Sequence, residues 1–139
     1  SIELPPELTI SQGHGKVAWN VRAIWELLAG WFYYEDIADL YTVPPRDVYP
    51  DLVELAGGVE PVVARAQQRF DEGEKLEALR LLDVAKAAGP EPKKALELRL
   101  RIFEGMLQTS EQGLDNMSET GILRASVKQT RDVLDALSP

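Results

Sequence analysis

The residues of this chain that could do chemistry are few, and they gather near its beginning. His14 is the single histidine, set between Gly13 and Gly15. Flanking glycines leave backbone and imidazole open, so such a residue can touch an anion at a cleft edge or move a proton. A catalytic metal site asks for more, typically two or three imidazoles with carboxylates. Cysteine is absent, which removes thiolate zinc ligands, a cysteine nucleophile and any disulfide framework. There is no G-x-S-x-G, P-loop or G-x-G-x-x-G, and Gly13-His14-Gly15 follows no strand-like run. The acidic stretch Asp71-Glu72-Gly73-Glu74 lacks the spacing of an EF-hand loop and reads as helix-end solvation. No metal site and no catalytic residue are assigned, and the chain itself calls for no cofactor. His14 stays either a cleft-edge contact or a solvated turn residue.

The element that follows His14 must position whatever this region does. From Lys16 the residues Val17, Trp19, Val21, Ile24, Trp25, Leu27 and Leu28 are too dense for a one-faced surface helix. At about 100° per residue, Arg22 and Glu26 form an i,i+4 pair, while Asn20 falls on the apolar side. A helix that is apolar nearly all round needs cover, from a larger domain or from a second chain. Trp19, Trp25 and Trp31 are therefore either interface anchors or intradomain core. Asn20 is either a hydrogen-bonding group at a subunit boundary or a buried amide capping nearby backbone. The helix is expected to run to about Ala29 and stop at Gly30, with an irregular, partly extended connector from Trp31 to Val43.

The remainder reads as ordinary helical packing. Pro6 or Glu7 can open a short turn before Gly13. Pro44 and Pro45 suit the first turn of a helix carrying Val48, Leu52, Val53 and Leu55, with a start or kink near Pro50 and an end at Gly57-Gly58. Val62, Val63, Ala66 and Phe70 make one face of the next helix, which ends near Gly73. Leu76, Leu79, Leu82 and Ala85 make another, ending before Gly89-Pro90. Pro92 opens a helix with Leu96, Leu100, Phe103 and Leu107 on one stripe, and a last helix carries Leu123, Val127, Leu134 and Leu137. No strand-like alternation follows Val43. Gly73, Ala78, Ala85 and Pro90 stand at offsets 0, +5, +12 and +17, the spacing of small residues and terminal proline in a tetratricopeptide unit. Small residues let two antiparallel helices approach closely, and the proline ends the second. About one and a half such units fit, against the plainer alternative of two generic hairpin helices.

The expected fold is thus all-α, antiparallel helical hairpins with a tetratricopeptide-like unit. It forms one domain over residues 1–139: a tryptophan-rich helix and connector over 1–43, and a helical bundle over 44–139. The net charge of −8 opposes a nucleic-acid or anionic-membrane surface, since phosphate binding needs a basic face. No apolar run reaches membrane-spanning length, and the N-terminus SIELPPEL has no signal-peptide pattern. A cytoplasmic location is the expectation.

The order of these pieces resembles the alkyl sulfatase dimerisation domain, the middle segment of metallo-β-lactamase-fold alkyl sulfatases and their relatives. The residues that carry the likeness are Gly13-His14-Gly15, Val17 to Ile24 with Asn20-Val21-Arg22-Ala23, Trp25 and Gly30-Trp31-Phe32. Pro44-Pro45 and Val53-Glu54-Leu55-Ala56-Gly57-Gly58 complete the series, and the hairpin follows. The chain departs at His14, where many members carry Tyr, and at Tyr33-Tyr34-Glu35-Asp36, which replaces a frequent Gly-Asn-Pro.

The resemblance implies a non-catalytic module of a zinc-dependent hydrolase, either an alkyl sulfatase-like sulfuric ester hydrolase or a broader metallo-β-lactamase-like one, whose zinc ligands and activated water lie in a preceding catalytic domain outside this chain. Its partners would be a second copy, as a homodimer, and its own upstream catalytic domain. The interface candidates are Trp19, Asn20, Ile24, Trp25, Trp31 and Phe32, with His14 at the cleft edge. Two other classes stand beside this reading: a stand-alone tetratricopeptide-like adaptor that binds peptides, and a hydrolase working through His14 itself.

Overall fold

In the computed structural model, residues 17–28, 44–113 and 116–137 are described, and among them every regular element is helical. In chain order these are α1 (Val17–Leu28), a 3-10 turn (Pro45–Val48), α2 (Tyr49–Leu55), α3 (Val59–Asp71), α4 (Lys75–Ala87), α5 (Lys93–Gly113) and α6 (Met117–Ala136).

Proline and glycine set the boundaries. Pro44 is extended, with φ −59° and ψ 137°, and the chain enters a 3-10 turn rather than the expected helix. Pro50 then falls in the first turn of α2, where its missing N–H would be unbonded anyway. The segment thus divides into two short elements, and α2 starts at Tyr49, in line with the start or kink expected near Pro50. α2 ends where the Gly58 N–H donates to Val53 O at 2.8 Å and the Gly57 N–H to Glu54 O at 2.9 Å. α3 ends the same way: the Glu74 N–H donates to Arg69 O at 2.9 Å and the Gly73 N–H to Phe70 O at 3.0 Å. This crossed pair satisfies the last carbonyls only if the residue after the cap is left-handed; Gly73 has φ +87°. At the start of α6, Asn116 Oδ1 accepts the Glu119 N–H at 3.0 Å. Asn-x-x-Glu is a recognisable helix-start pattern, and it dates the beginning of α6 better than the leucine spacing does.

Three residues separate α3 from α4, so the two helices fold back antiparallel. Their contact is built on alanine: Ala66, Ala78 and Ala85 are all but completely buried, packed with Val62, Val63 and Leu82. That is the close approach expected of the small residues at the repeat offsets, and Gly73 and Pro90 stand at its ends. Val53 brings α2 onto this core, and Ala95, Leu98 and Ile102 bring α5.

α5 and α6 form the second hairpin. Arg124 Nη2 lies 2.8 Å from Glu111 Oε1, and Arg131 pairs with Glu104. As the α6 partner advances by seven residues the α5 partner retreats by seven, which establishes the antiparallel register. At 21 and 20 residues, these helices are longer than the 13-residue α3 and α4. Repeat-like packing therefore covers the first hairpin and the opening turns of α5 only.

The apolar stripes need amendment in three places. α5 was expected to bury Leu96, Leu100, Phe103 and Leu107; of these only Leu96 is fully buried, and the helix also sinks Ala95, Leu98, Arg99 and Ile102. Those two sets lie roughly 100° apart around the axis, because α5 packs on α3 and α4 with one face and on α6 with the next. α6 buries Leu123, Val127 and then Thr130, whose hydroxyl donates to Ser126 O at 2.8 Å, while Leu137 is exposed. Leu76 at the start of α4, and Val48, Leu52 and Leu55 around the short α2, are exposed as well. Elements of one or two turns can turn only one or two side chains inward.

Candidate association surface

Around α1, successive residues step by about 100°. Trp19, Ala23, Leu27, Ile24, Leu28, Val21 and Trp25 then cover an arc of roughly 240°. Arg22 falls in the remainder, and Asn20 stands inside the apolar arc between Leu27 and Ile24. In this conformation the arc is open: Trp19 is 42% exposed, Ile24 54%, Trp25 59%, Leu28 78% and Leu27 81%. Among the described residues, α1 shares no extensive packing with α2–α6. The sequence required cover for this helix, and the described part of the chain does not supply it. An exposed apolar patch of this density is what an interaction surface looks like.

The structure therefore brings Trp19, Asn20, Ile24 and Trp25 together on one exposed helix. Trp31, Phe32 and His14 lie outside the described residues, as do the N-terminal turn and the connector over 29–43. Leu27 and Leu28, overshadowed by the tryptophans in the sequence, are the most exposed large residues of α1.

A second polar cluster went unnoticed in the sequence. Arg99 is 8% exposed. Its Nη1 donates to Asp83 Oδ1 at 2.9 Å and its Nε to Glu91 Oε1 at 2.9 Å. Nη2 lies 2.8 Å from the same Glu91 oxygen, yet it has no hydrogen-bond partner of acceptable angle. We read that contact as a charge pairing within a shared fork, not as a separate hydrogen bond. Lys86 Nζ lies 3.7 Å from the other Glu91 oxygen. With Arg80 Nη1 3.9 Å from the other Asp83 oxygen, the cluster sets two carboxylates against three cations and pins the end of α4 and the following loop to α5. Its partners are 8 and 16 residues from Arg99, so no local pattern announces them.

Among the described residues, no three His, Cys, Asp or Glu side chains converge as a metal site would require. None of the described helices is long and apolar enough to cross a membrane.

Comparison with known proteins agrees with the family resemblance carried by the sequence. A family model described as alkyl sulfatase dimerisation matches residues 1–118. A linear primary-alkylsulfatase of Pseudomonas sp is 27% identical over 100 residues, covering 72% of this chain and 15% of that protein. An alkyl/aryl-sulfatase of Saccharomyces cerevisiae is 32% identical over 85 residues, covering 61% of this chain and 13% of its own length. A linear primary-alkylsulfatase of a further Pseudomonas strain is 28% identical over 107 residues, covering 73% and 20%. The chain thus spans a fifth or less of the curated relatives it matches. No solved structure matches it significantly.

Proposed function

Since the chain belongs to the alkyl sulfatase dimerisation family, we propose that it joins two subunits of a sulfuric ester hydrolase, with α1 as the principal contact. The observation that carries the reading is the open apolar arc of α1, exposed on a helix that the α2–α6 bundle does not cover. A two-fold pairing would bury the arc in both copies at once, and a stable dimer should remove on the order of 1,600 Å² or more from water.

Each part then has a distinct task. Trp19 and Trp25 lie at the two edges of the arc, where large amphipathic rings serve as anchors. Leu27, Leu28 and Ile24 contribute apolar area between them. Asn20 is a lone amide in that area, and burying it unpaired is unfavourable, so it selects the alignment in which a partner group meets it. The α3–α6 hairpins form a rigid platform, locked by the alanine contacts and the Arg99 cluster. The parent protein's ester hydrolysis is assigned to an upstream catalytic domain of metallo-β-lactamase type, together with its zinc. The described residues do not fit a zinc site, and no step of this reading passes through one.

Sedimentation tests the proposal directly. The chain should sediment as a dimer at micromolar concentration, and Trp25→Ala should weaken association by about 2 kcal/mol in each copy, about 4 kcal/mol for the two-fold dimer. A strictly monomeric species with α1 intact by circular dichroism would refute the assignment.

A further inference from the structure

A second surface, independent of α1, carries a ligand chemistry of its own. Between α3 and α5 runs a groove of about 660 Å³, lined by Glu60, Val63 and Gln67 on one wall and Lys94, Leu98 and Arg101 on the other. Val63 and Leu98 are buried and form an apolar floor. Lys93 and Glu97 also line it and pair with each other at 4.0 Å. Acidic residues outnumber basic ones by 23 to 15 over the whole chain, yet this groove holds three cations against two anions. Its local charge is opposite to that of the molecule.

Two of those cations lack a carboxylate partner among the described residues: Lys94 and Arg101. Arg101 is nevertheless held in place, its guanidinium carbon 4.8 Å from the centre of the Phe70 ring. Lys94 lies in the first turn of α5, a turn without acidic residues, where the helix dipole disfavours a cation. An anionic occupant relieves both.

We propose that the α3–α5 groove docks an extended acidic peptide bearing two carboxylates three residues apart. Lys94 and Arg101 are separated by seven residues of helix, about 10.5 Å along the axis. A polyproline II segment presents every third side chain on one face, about 9 Å apart, within reach of two long flexible cations. Gln67 on the facing wall can bond the peptide backbone, and Val63 and Leu98 receive whatever apolar side chain lies between the acids.

The test is fluorescence anisotropy of the 139-residue chain with labelled six-residue peptides. One carries two Glu three residues apart, one has Gln at both positions, and one has the two Glu adjacent. The spaced-Glu peptide should bind more tightly than either comparator. Lys94→Gln and Arg101→Gln should each weaken it about two- to five-fold, and the double variant about four- to twenty-five-fold. Lys94→Glu combined with Arg101→Glu should switch preference to the Lys-spaced counterpart. Lys94 is exposed and without an ion-pair partner, so its variants test the idea even if Arg101 variants lose the Phe70 contact and melt early. Equal binding of Glu and Gln peptides, indifference to spacing, or unchanged affinity in Lys94→Gln overturns the proposal. So does a change in sedimentation of Lys94→Glu without saturable peptide binding, which would make the groove a contact between copies. Dimerisation through α1 is read separately by sedimentation, so the two ideas fail independently.

Discussion

Replacing Leu27 by alanine separates association from folding more cleanly than replacing a tryptophan, because leucine and alanine are both strong helix formers. The change removes three carbons, worth about 2.4 kcal/mol when the side chain goes from water to a fully buried site. Leu27 is 81% exposed in the single chain, so about 2 kcal/mol of that is available to a partner surface. In a two-fold dimer the residue counts once in each copy, giving about 4 kcal/mol, or roughly a thousandfold in Kd. The bundle should be untouched, since α1 lies outside the α2–α6 core. Sedimentation equilibrium gives the first number, and thermal melting by circular dichroism on the same samples gives the second. Dissociation within threefold of the parent, especially with a melting point several degrees lower, would mean that Leu27 packs within its own subunit. The association reading would then lose its main support.

Further outcomes follow from the core. Arg99→Met should destabilise the chain by about 3 kcal/mol, the lower end for breaking a buried pair, because Lys86 still faces Glu91. Adding Glu91→Leu should recover much of the loss in the urea midpoint, since no buried charge would be stranded. Ala78→Leu puts three carbons into a completely buried contact and should cost about 1–3 kcal/mol or more, visible in the same assay. Gly73→Ala should cost about 1–2 kcal/mol from its left-handed backbone alone, because a Cβ there would meet no atom within 4 Å.

How legible each part was depended on the range of the interaction that decides it. Helix existence follows from apolar spacing, and helix ends from residues within one turn: Gly57, Gly73 and Pro90 all mark ends that the structure respects. The Ala78 and Ala85 contact was legible because it repeats at a fixed offset. By contrast, α5 has two buried stripes, and periodicity named only one, because which face is covered depends on where α3, α4 and α6 arrive. The enclosure of Arg99 carries no local signal, because its carboxylates come from α4 and from the loop that follows.

The candidate surface divides the same way. Its composition, an apolar arc interrupted by Asn20, is a property of consecutive residues and could be read directly. Its openness is not, since exposure is decided by every other segment of the chain.

What the sequence determined by itself, then, is local: helical periodicity, the glycine and proline stops, the small-residue hairpin and the greasiness of α1. Those features depend on backbone sterics and side-chain volume within a few residues. Only the tertiary structure decided that α2–α6 leave the apolar arc of α1 exposed among the described residues, that Arg99 is enclosed by two carboxylates, and that Lys94 and Arg101 share a groove. Such facts arise from packing between segments far apart in the chain, where the free energy belongs to the pair of surfaces and to neither one alone.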